Sequence, residues 1–357
     1  KQESEFVKEA FIVGTTLAKA ASDSNIYEDE FDVVIVDETS MAYVPQAAFA
    51  ASLGRRVILC GDFKQLPPIA SSRHELVDKW LKEDIFIRSG VSDIKQDLHP
   101  QMLLLKEQRR MHPEISAFTN QYVYQNQVGD HESVKKSRNQ LVIRAPFPNR
   151  ASILLDASYT GEHCIKERTS HSKFNLWHLV LSFQSIHESY RSGVRSIGNV
   201  TPYRAQASLM QQLLGDLYEE ELLDADILAA TVHKFQGSER DVMIFDSVDS
   251  FPENRAGMLT AGKDSARLIN VAITRTKGKF IHVSNTDFIR KNVYRSKALR
   301  QLVDHQEKNQ QSVTHQHIGK WIQHHHPNLK WMHALKQESL FEDICSAKRR
   351  IILSLPK

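Results

Sequence analysis

Val33-Val34-Ile35-Val36-Asp37-Glu38 and Val57-Ile58-Leu59-Cys60-Gly61-Asp62-Phe63-Lys64-Gln65-Leu66-Pro67-Pro68 are two apolar runs that each end in acidic residues. Neither run alternates polar with apolar side chains. An unbroken Val/Ile/Leu run suits a strand covered on both faces, as in a parallel sheet between helices. Open sheets of that kind bind ligands beyond the carboxyl ends of their strands. Asp37-Glu38 and the segment from Asp62 to Gln65 stand at such ends. A carboxylate at Asp37 can hold Mg²⁺, and Glu38 can orient or deprotonate a water, an arrangement of the Walker B type. Gly61 and the two prolines stiffen the second loop, giving Gln65 a set position from which to sense a terminal phosphate. Alone, the first site also reads as a solvated acidic pair and the second as an ordinary turn.

The same rhythm extends outward. Phe11-Ile12-Val13 precedes Gly14-Thr15-Thr16, and Tyr43 to Leu53 reads as a helix. Further strands are expected at Leu103–Leu105, Ile153–Leu155, Ile197–Thr201, Ile227–Thr231, Val242–Phe245 and Phe280–Val283. Helices are expected between most of them, at Lys173–Tyr190 and Ala205–Leu214 among others. This alternation predicts an α/β fold with helices on both sheet faces. Asp97-Leu98-His99-Pro100 breaks the pattern and suggests a boundary. Gly129–Asn149 is polar and turn-rich and reads as a loop. From His305 the composition shifts to His, Gln, Lys and Trp, which reads as a linker.

At 357 residues, two domains and a tail are the natural expectation. No apolar run reaches the roughly 18 residues of a membrane span. A net charge of +3, from 46 basic and 43 acidic residues, neither requires nor excludes a nucleic-acid partner, since a basic groove can coexist with an acidic outer face. The three cysteines, Cys60, Cys164 and Cys345, are far apart and lack CxxC spacing. A disulfide framework and a cysteine zinc site are therefore not expected, and a reducing, cytoplasmic or nucleoid-associated setting fits. The clusters His315/His317 and His324–His326 have no cysteine or carboxylate at ligand spacing and read as solvated residues.

A third chemical site is Gln108-Arg109-Arg110-Met111-His112-Pro113, where two arginines could reach a phosphoryl group or form a surface basic pair. Taken in order, VDETS, GDFKQLPP, EQRRMHPEISAFTNQYVY, TPYRAQ, TVHKFQGSERDVMIFD and NVAITRTK resemble the ordered motifs of superfamily 1B helicases. The branch is that of the nonsense-mediated-decay, senataxin-like and Dna2-like enzymes, and the likeness covers roughly residues 11–285.

The resemblance implies two RecA-like parallel-sheet domains, the first incomplete, with a C-terminal tail. It divides the chain into 1–97, 98–304 and 305–357. It implies ATP and Mg²⁺ as cofactors and single-stranded DNA or RNA as partner, with 5′ to 3′ movement. On this sequence, Asp37 would bind Mg²⁺, Glu38 would activate water, and Gln65 would contact the γ-phosphate or that water. Arg110 and Arg275 would be arginine fingers, with Arg109 ranked below Arg110. Gln236, Gly237 and Glu239 would approach the nucleotide. Thr15, Thr16, Thr201, Tyr203, Thr231 and His233 would track the nucleic acid, with Tyr203 either stacking on a base or packing in its own core. Lys234 and Arg240 read as phosphate contacts or solvated charges, the solvated reading being preferred for Arg240.

The phosphate-cradling GxxxxGK[ST] of such motors does not occur in these residues. That predicts weak ATP binding by residues 1–357 alone and a first sheet lacking a strand. Trp331 and the segment Leu340–Pro356 resemble the opening helix and strand of phospholipase D-like domains, without their HxK pair. The second function class left open is a nucleic-acid-binding module that does not turn over ATP.

Overall fold

The computed structural model describes residues 3–92, 99–161, 163–325, 342 and 344–348. Two α/β units follow one another. In the first, β1 (Phe31–Val36) and β2 (Gly54–Leu59) pair in parallel, Val33 opposite Arg56 and Val36 opposite Leu59. The connection is the helix Val44–Ser52, started by Pro45 and laid against both strands through Ala47 and Ala50.

The second unit is a six-stranded, all-parallel sheet. Its strands are β3 (Ser152–Asp156), β4 (Ser196–Thr201), β5 (Asp226–Thr231), β6 (Arg240–Asp246), β7 (Thr276–Ser284) and β8 (Ser312–Val313), in the spatial order β8-β3-β7-β6-β4-β5. Successive side chains point to opposite faces. Leu154, Val200, Met243, Phe245 and Phe280 enter one core with the helices Pro113–Tyr122, Ser265–Thr274 and Ala298–Lys308. Ile153, Leu155, Ile197, Ile244, Ile281 and Val283 enter the other, with the helices Leu176–Arg191, Arg204–Leu217 and His315–His325. This is the doubly covered parallel sheet that the apolar runs call for.

The first unit departs from that expectation. Among the described residues its sheet has two strands, and Val33, Ile35, Val57 and Ile58 stay exposed on it. Phe11-Ile12-Val13 forms no strand, and Phe11 and Ile12 are fully or almost fully exposed, because no described strand offers a ladder there. A cavity of about 400 Å³ lies between Val13–Leu17 and the stretch from Val33 of β1 to Asp37 just past its end.

Four other sequence readings are corrected. Leu103–Leu105 is not a strand; two residues further on, Glu107–Gln108 pairs with Gly129–Asp130. The segment Gly129–Asn149 is not all loop. It contains the helix Glu132–Val142, capped by His131 and anchored by Val134 and Val142, an apolar stripe too sparse to stand out in a polar sequence. Lys173–Asn175 is a strand, antiparallel to Cys164–Lys166, and the helix begins after Asn175, whose Oδ1 accepts from the amides of Trp177 and His178. The stretch after His305 is helix, strand and helix packed on the second sheet, with Val313, Ile318 and Ile322 buried. The phospholipase D-like segment falls largely outside the described residues.

Candidate nucleotide cleft and nucleic-acid face

The carboxyl ends of β1 and β2 face the amino ends of β6 and β7. On the first side, β1 delivers Asp37 and Glu38. Glu38 adopts φ 49°, ψ 37°, a left-handed conformation that side chains other than glycine rarely take. Its amide donates to Asp37 Oδ1 at 2.9 Å, leaving the rest of the exposed Asp37 carboxylate open. A Cβ on Gly61 would sit 3.0 Å from the Ser40 amide nitrogen. Glycine therefore lets the two loops touch, and the Thr39 amide donates to the Cys60 carbonyl at 2.8 Å. In the second loop Asp62 accepts from the Lys64 amide at 2.9 Å and from Gln65 Nε2 at 3.0 Å.

On the opposing side, Arg275 caps the carboxyl end of the helix Ser265–Thr274, directly before β7. Its side chain is 2% exposed and donates to Gln65 Oε1 across the cleft, while its Nε is buried without a partner among the described residues. Burial and then the neighbouring Arg110 push its pKa down from the usual arginine value, and Glu38 and Asp62 oppose them. Arg110 donates to Glu239 at 2.7 Å and to the Thr274 carbonyl at 3.1 Å. Burial pushes the Glu239 carboxyl up, but hydrogen bonds from Lys277 and Arg110 outweigh it and hold the group below its usual range. Gln236 Nε2 is buried without a partner among the described residues, and Gly237 takes φ 79° beside it. Donors without acceptors at a cleft of this charge fit a polyanion, since a buried unpaired donor costs about 1–3 kcal/mol. Of the residues named from the sequence, Arg275 touches Gln65, Arg110 touches Glu239, and Glu38 and Arg110 lie close enough to act on the charge of Arg275. Arg109 points elsewhere, exposed and 3.9 Å from Glu107.

The AAA domain profile AAA_12 matches residues 88–287, more than half of the chain, and a second AAA domain profile, AAA_11, matches residues 1–73. The chain belongs to the superfamily 1B helicases. Helicase sen1 of Schizosaccharomyces pombe is 27% identical over 81% of the chain and 17% of its own length. An uncharacterised ATP-dependent helicase of Methanocaldococcus jannaschii is 28% identical over 81% of the chain and 41% of its own length. A regulator of nonsense transcripts 1 homologue of Drosophila melanogaster is 27% identical over 76% and 22%. The chain therefore spans well under half the length of these relatives. Neither profile match extends to the segment read as phospholipase D-like.

The other end of the second sheet, at the carboxyl termini of β4 to β7, holds Thr201, Tyr203, Thr231 and His233. The connector from Thr231 to Arg240 runs from this end of the sheet to the cleft end, so one segment serves both. Thr231 and His233 are half-buried, and burial pushes the His233 imidazole below its usual pKa, leaving it neutral at pH 7. Thr201 is buried. Tyr203 is 6% exposed and its hydroxyl donates to Asp249 at 2.9 Å, so of its two readings the structure shows core packing rather than an open stacking face. Asp249 is itself fully buried and also accepts from Lys173 at 2.7 Å, the Gly257 amide at 3.1 Å and Thr260. No sequence pattern marked this hub. Arg240 is not solvated. It is 9% exposed, donates to Asp226 at 3.0 Å and lies over the Phe235 ring. Thr15 and Thr16 are exposed, Thr16 capping the helix Leu17–Ser22.

Among the described residues no cluster of three or more His, Cys, Asp or Glu could hold a metal by itself. Asp37 nonetheless fits Mg²⁺, which is commonly held by one or two carboxylates together with substrate phosphates and water. No helix among the described residues is long and apolar enough to cross a membrane.

Proposed function

We propose that the protein of which this chain is part is a nucleic-acid helicase or translocase that couples ATP hydrolysis to 5′ to 3′ movement on single-stranded DNA or RNA, in the cytoplasm or at the nucleoid. The observation that carries this reading is the contact of Arg275 with Gln65 across the cleft, beside Glu38 and Arg110. Glu38 takes the proton of the attacking water, and Gln65 orients that water. Arg110 and Arg275 stabilise charge on the transferred phosphoryl group, a role worth on the order of 10³ in rate or more per arginine. Mg²⁺ at Asp37, when bound, neutralises phosphate charge. Thr15, Thr16, Thr231 and His233 supply contacts to the nucleic-acid backbone, which position a strand without reading its sequence. Residues 1–357 lack a GxxxxGK[ST] loop, so by themselves they bind ATP weakly.

The test is ATPase of the full-length protein with single-stranded DNA and RNA in parallel, beside Glu38→Gln. Stimulation by one strand type that falls by about 10²-fold or more in the variant is expected. A folded protein unstimulated by either strand would be a binding module instead.

A further inference from the structure

The side chains around Gln65 form a closed ring. Asn270 Nδ2 donates to the Tyr124 hydroxyl at 3.0 Å and to the Lys64 carbonyl at 3.1 Å. The Tyr124 hydroxyl donates to Asp62 Oδ2 at 2.5 Å. The same carboxylate oxygen accepts from Gln65 Nε2, and Gln65 Oε1 accepts from Arg275. Asn270 and Arg275 lie on one helix and at its cap, which closes the circuit. Three chain segments, far apart in sequence, meet in it.

We infer that Tyr124 is a positioning residue for ATP hydrolysis, holding Asp62 so that the Gln65 amide keeps its oxygen directed into the cleft. This rests on the function proposed above. A carboxamide has two ends that differ only in chemistry, and which end faces the cleft is set by its partners. Asp62 accepts only, so it selects the Nε2 end of Gln65. The oxygen then points toward Arg275. When Arg275 turns to a phosphate, Gln65 Oε1 is left free to accept from water. Asp62 can do this only if it stays put, and its Oδ2 is tied down by the phenol. Burial, and then the charge of Asp62, push the Tyr124 phenol well above its usual pKa, so it remains a donor throughout the neutral range. Asn270 completes the arrangement by donating to the phenol oxygen, which orients the phenol's own proton toward Asp62. Asn270 is fully buried, so this orientation is built into the helix that carries the arginine.

The experiment uses the full-length protein and compares Tyr124→Phe, Gln65→Ala and the double variant in nucleic-acid-stimulated ATPase, with thermal midpoints measured alongside. Tyr124→Phe should lower kcat about tenfold with KM for ATP unchanged within about twofold, as expected for a misplaced group rather than a lost ligand. In the Gln65→Ala background the same substitution should change kcat less than about twofold, because residues acting as a unit are not additive. The assignment is overturned if Tyr124→Phe leaves kcat unchanged, if it raises KM alone, or if its full effect persists without Gln65. A folded wild-type protein with no stimulated ATPase overturns the proposed function, and this assignment with it.

Discussion

Lys279 shows how a single charged residue is made to serve a core. It is fully buried on β7, and its ammonium donates to the carbonyls of Arg144, Pro146 and Phe147, the last two at 2.7 and 3.2 Å. Those three acceptors belong to the segment that follows the helix Glu132–Val142, so one side chain satisfies three carbonyls of that connection. Burial, and then Arg150, push its pKa from 10.5 down to about 7. The sign follows from proton counting. Between about pH 7 and 10.5 the unfolded chain holds a proton that the folded chain releases, so stability from this residue rises with pH across that window. Below pH 7 both states are charged and the slope vanishes. Lys279→Met should therefore remove this rise, and at pH 7 should cost about 1–3 kcal/mol through carbonyls left unpaired. Denaturant unfolding of both proteins at pH 7 and pH 9 measures each effect, and parallel pH dependences would refute the assignment. At the cleft, Arg275 and Glu38 make the same point for function: one is buried with an unpaired donor, the other is held in a left-handed backbone conformation, and both features are common where chemistry is done.

Among the elements, the connection 251–264, which carries the short helix Met258–Ala261, shows where close approach decides the residue. Gly257 donates its amide to Asp249, and a Cβ there would lie 1.8 Å from the Tyr203 hydroxyl oxygen. Neither side can yield, because Asp249 holds both. Gly215 is the contrast. It lies inside the helix Arg204–Leu217, and a Cβ there would meet nothing within 4 Å. Gly257→Ala should lower the thermal midpoint through a cost of about 1–3 kcal/mol from overpacking. Gly215→Ala should hold or raise it, by up to about 1 kcal/mol of helix propensity. Equal midpoints for the two variants in a thermal melt would contradict the packing described. The helices and strands themselves were readable wherever the pattern was strong. Val33–Val36 and Val57–Leu59 carry enough apolar side chains to name a strand, although Val33, Ile35, Val57 and Ile58 stay exposed. Leu103–Leu105 is equally apolar, yet among the described residues it pairs with no strand. Local pattern states what a segment could bury, while pairing depends on what stands beside it.

For the whole molecule, the six-stranded sheet extends past the point where composition suggested a linker. Ser312–Val313 pairs with β3, and the helix behind it buries Ile318 and Ile322 and sets Trp321 against Phe147, ring centres 5.0 Å apart. Burying an aliphatic side chain contributes about 1.5–3 kcal/mol, so removing this edge should cost about 5 kcal/mol or more. Total stabilities are about 5–15 kcal/mol, so the loss is decisive. The full-length protein truncated after Gln310 should express poorly or melt far earlier than the intact one. A truncated protein with an unchanged melting temperature would mean that the edge is dispensable. The sequence misread this region because polar residues such as Gln316, His317 and Lys320, exposed on a short amphipathic helix, dominate its composition.

While Arg110 and Arg275 took their roles from the motif resemblance, the sequence by itself determined the α/β class, five of the six strands of the second sheet, and the residue types at two strand ends, Asp37, Glu38 and Gln65. These are legible because apolar periodicity and loop-stiffening residues act over a few positions, where sequence neighbours are also spatial neighbours. Only the tertiary structure decided what those residues touch. Arg275 reaches Gln65 across 210 positions, Tyr124 reaches Asp62 across 62, and Tyr203 turns inward to Asp249 across 46. Such meetings depend on how two sheets and their covering helices pack. Packing is set by the summed fit of many side chains, and no local run of residues encodes it.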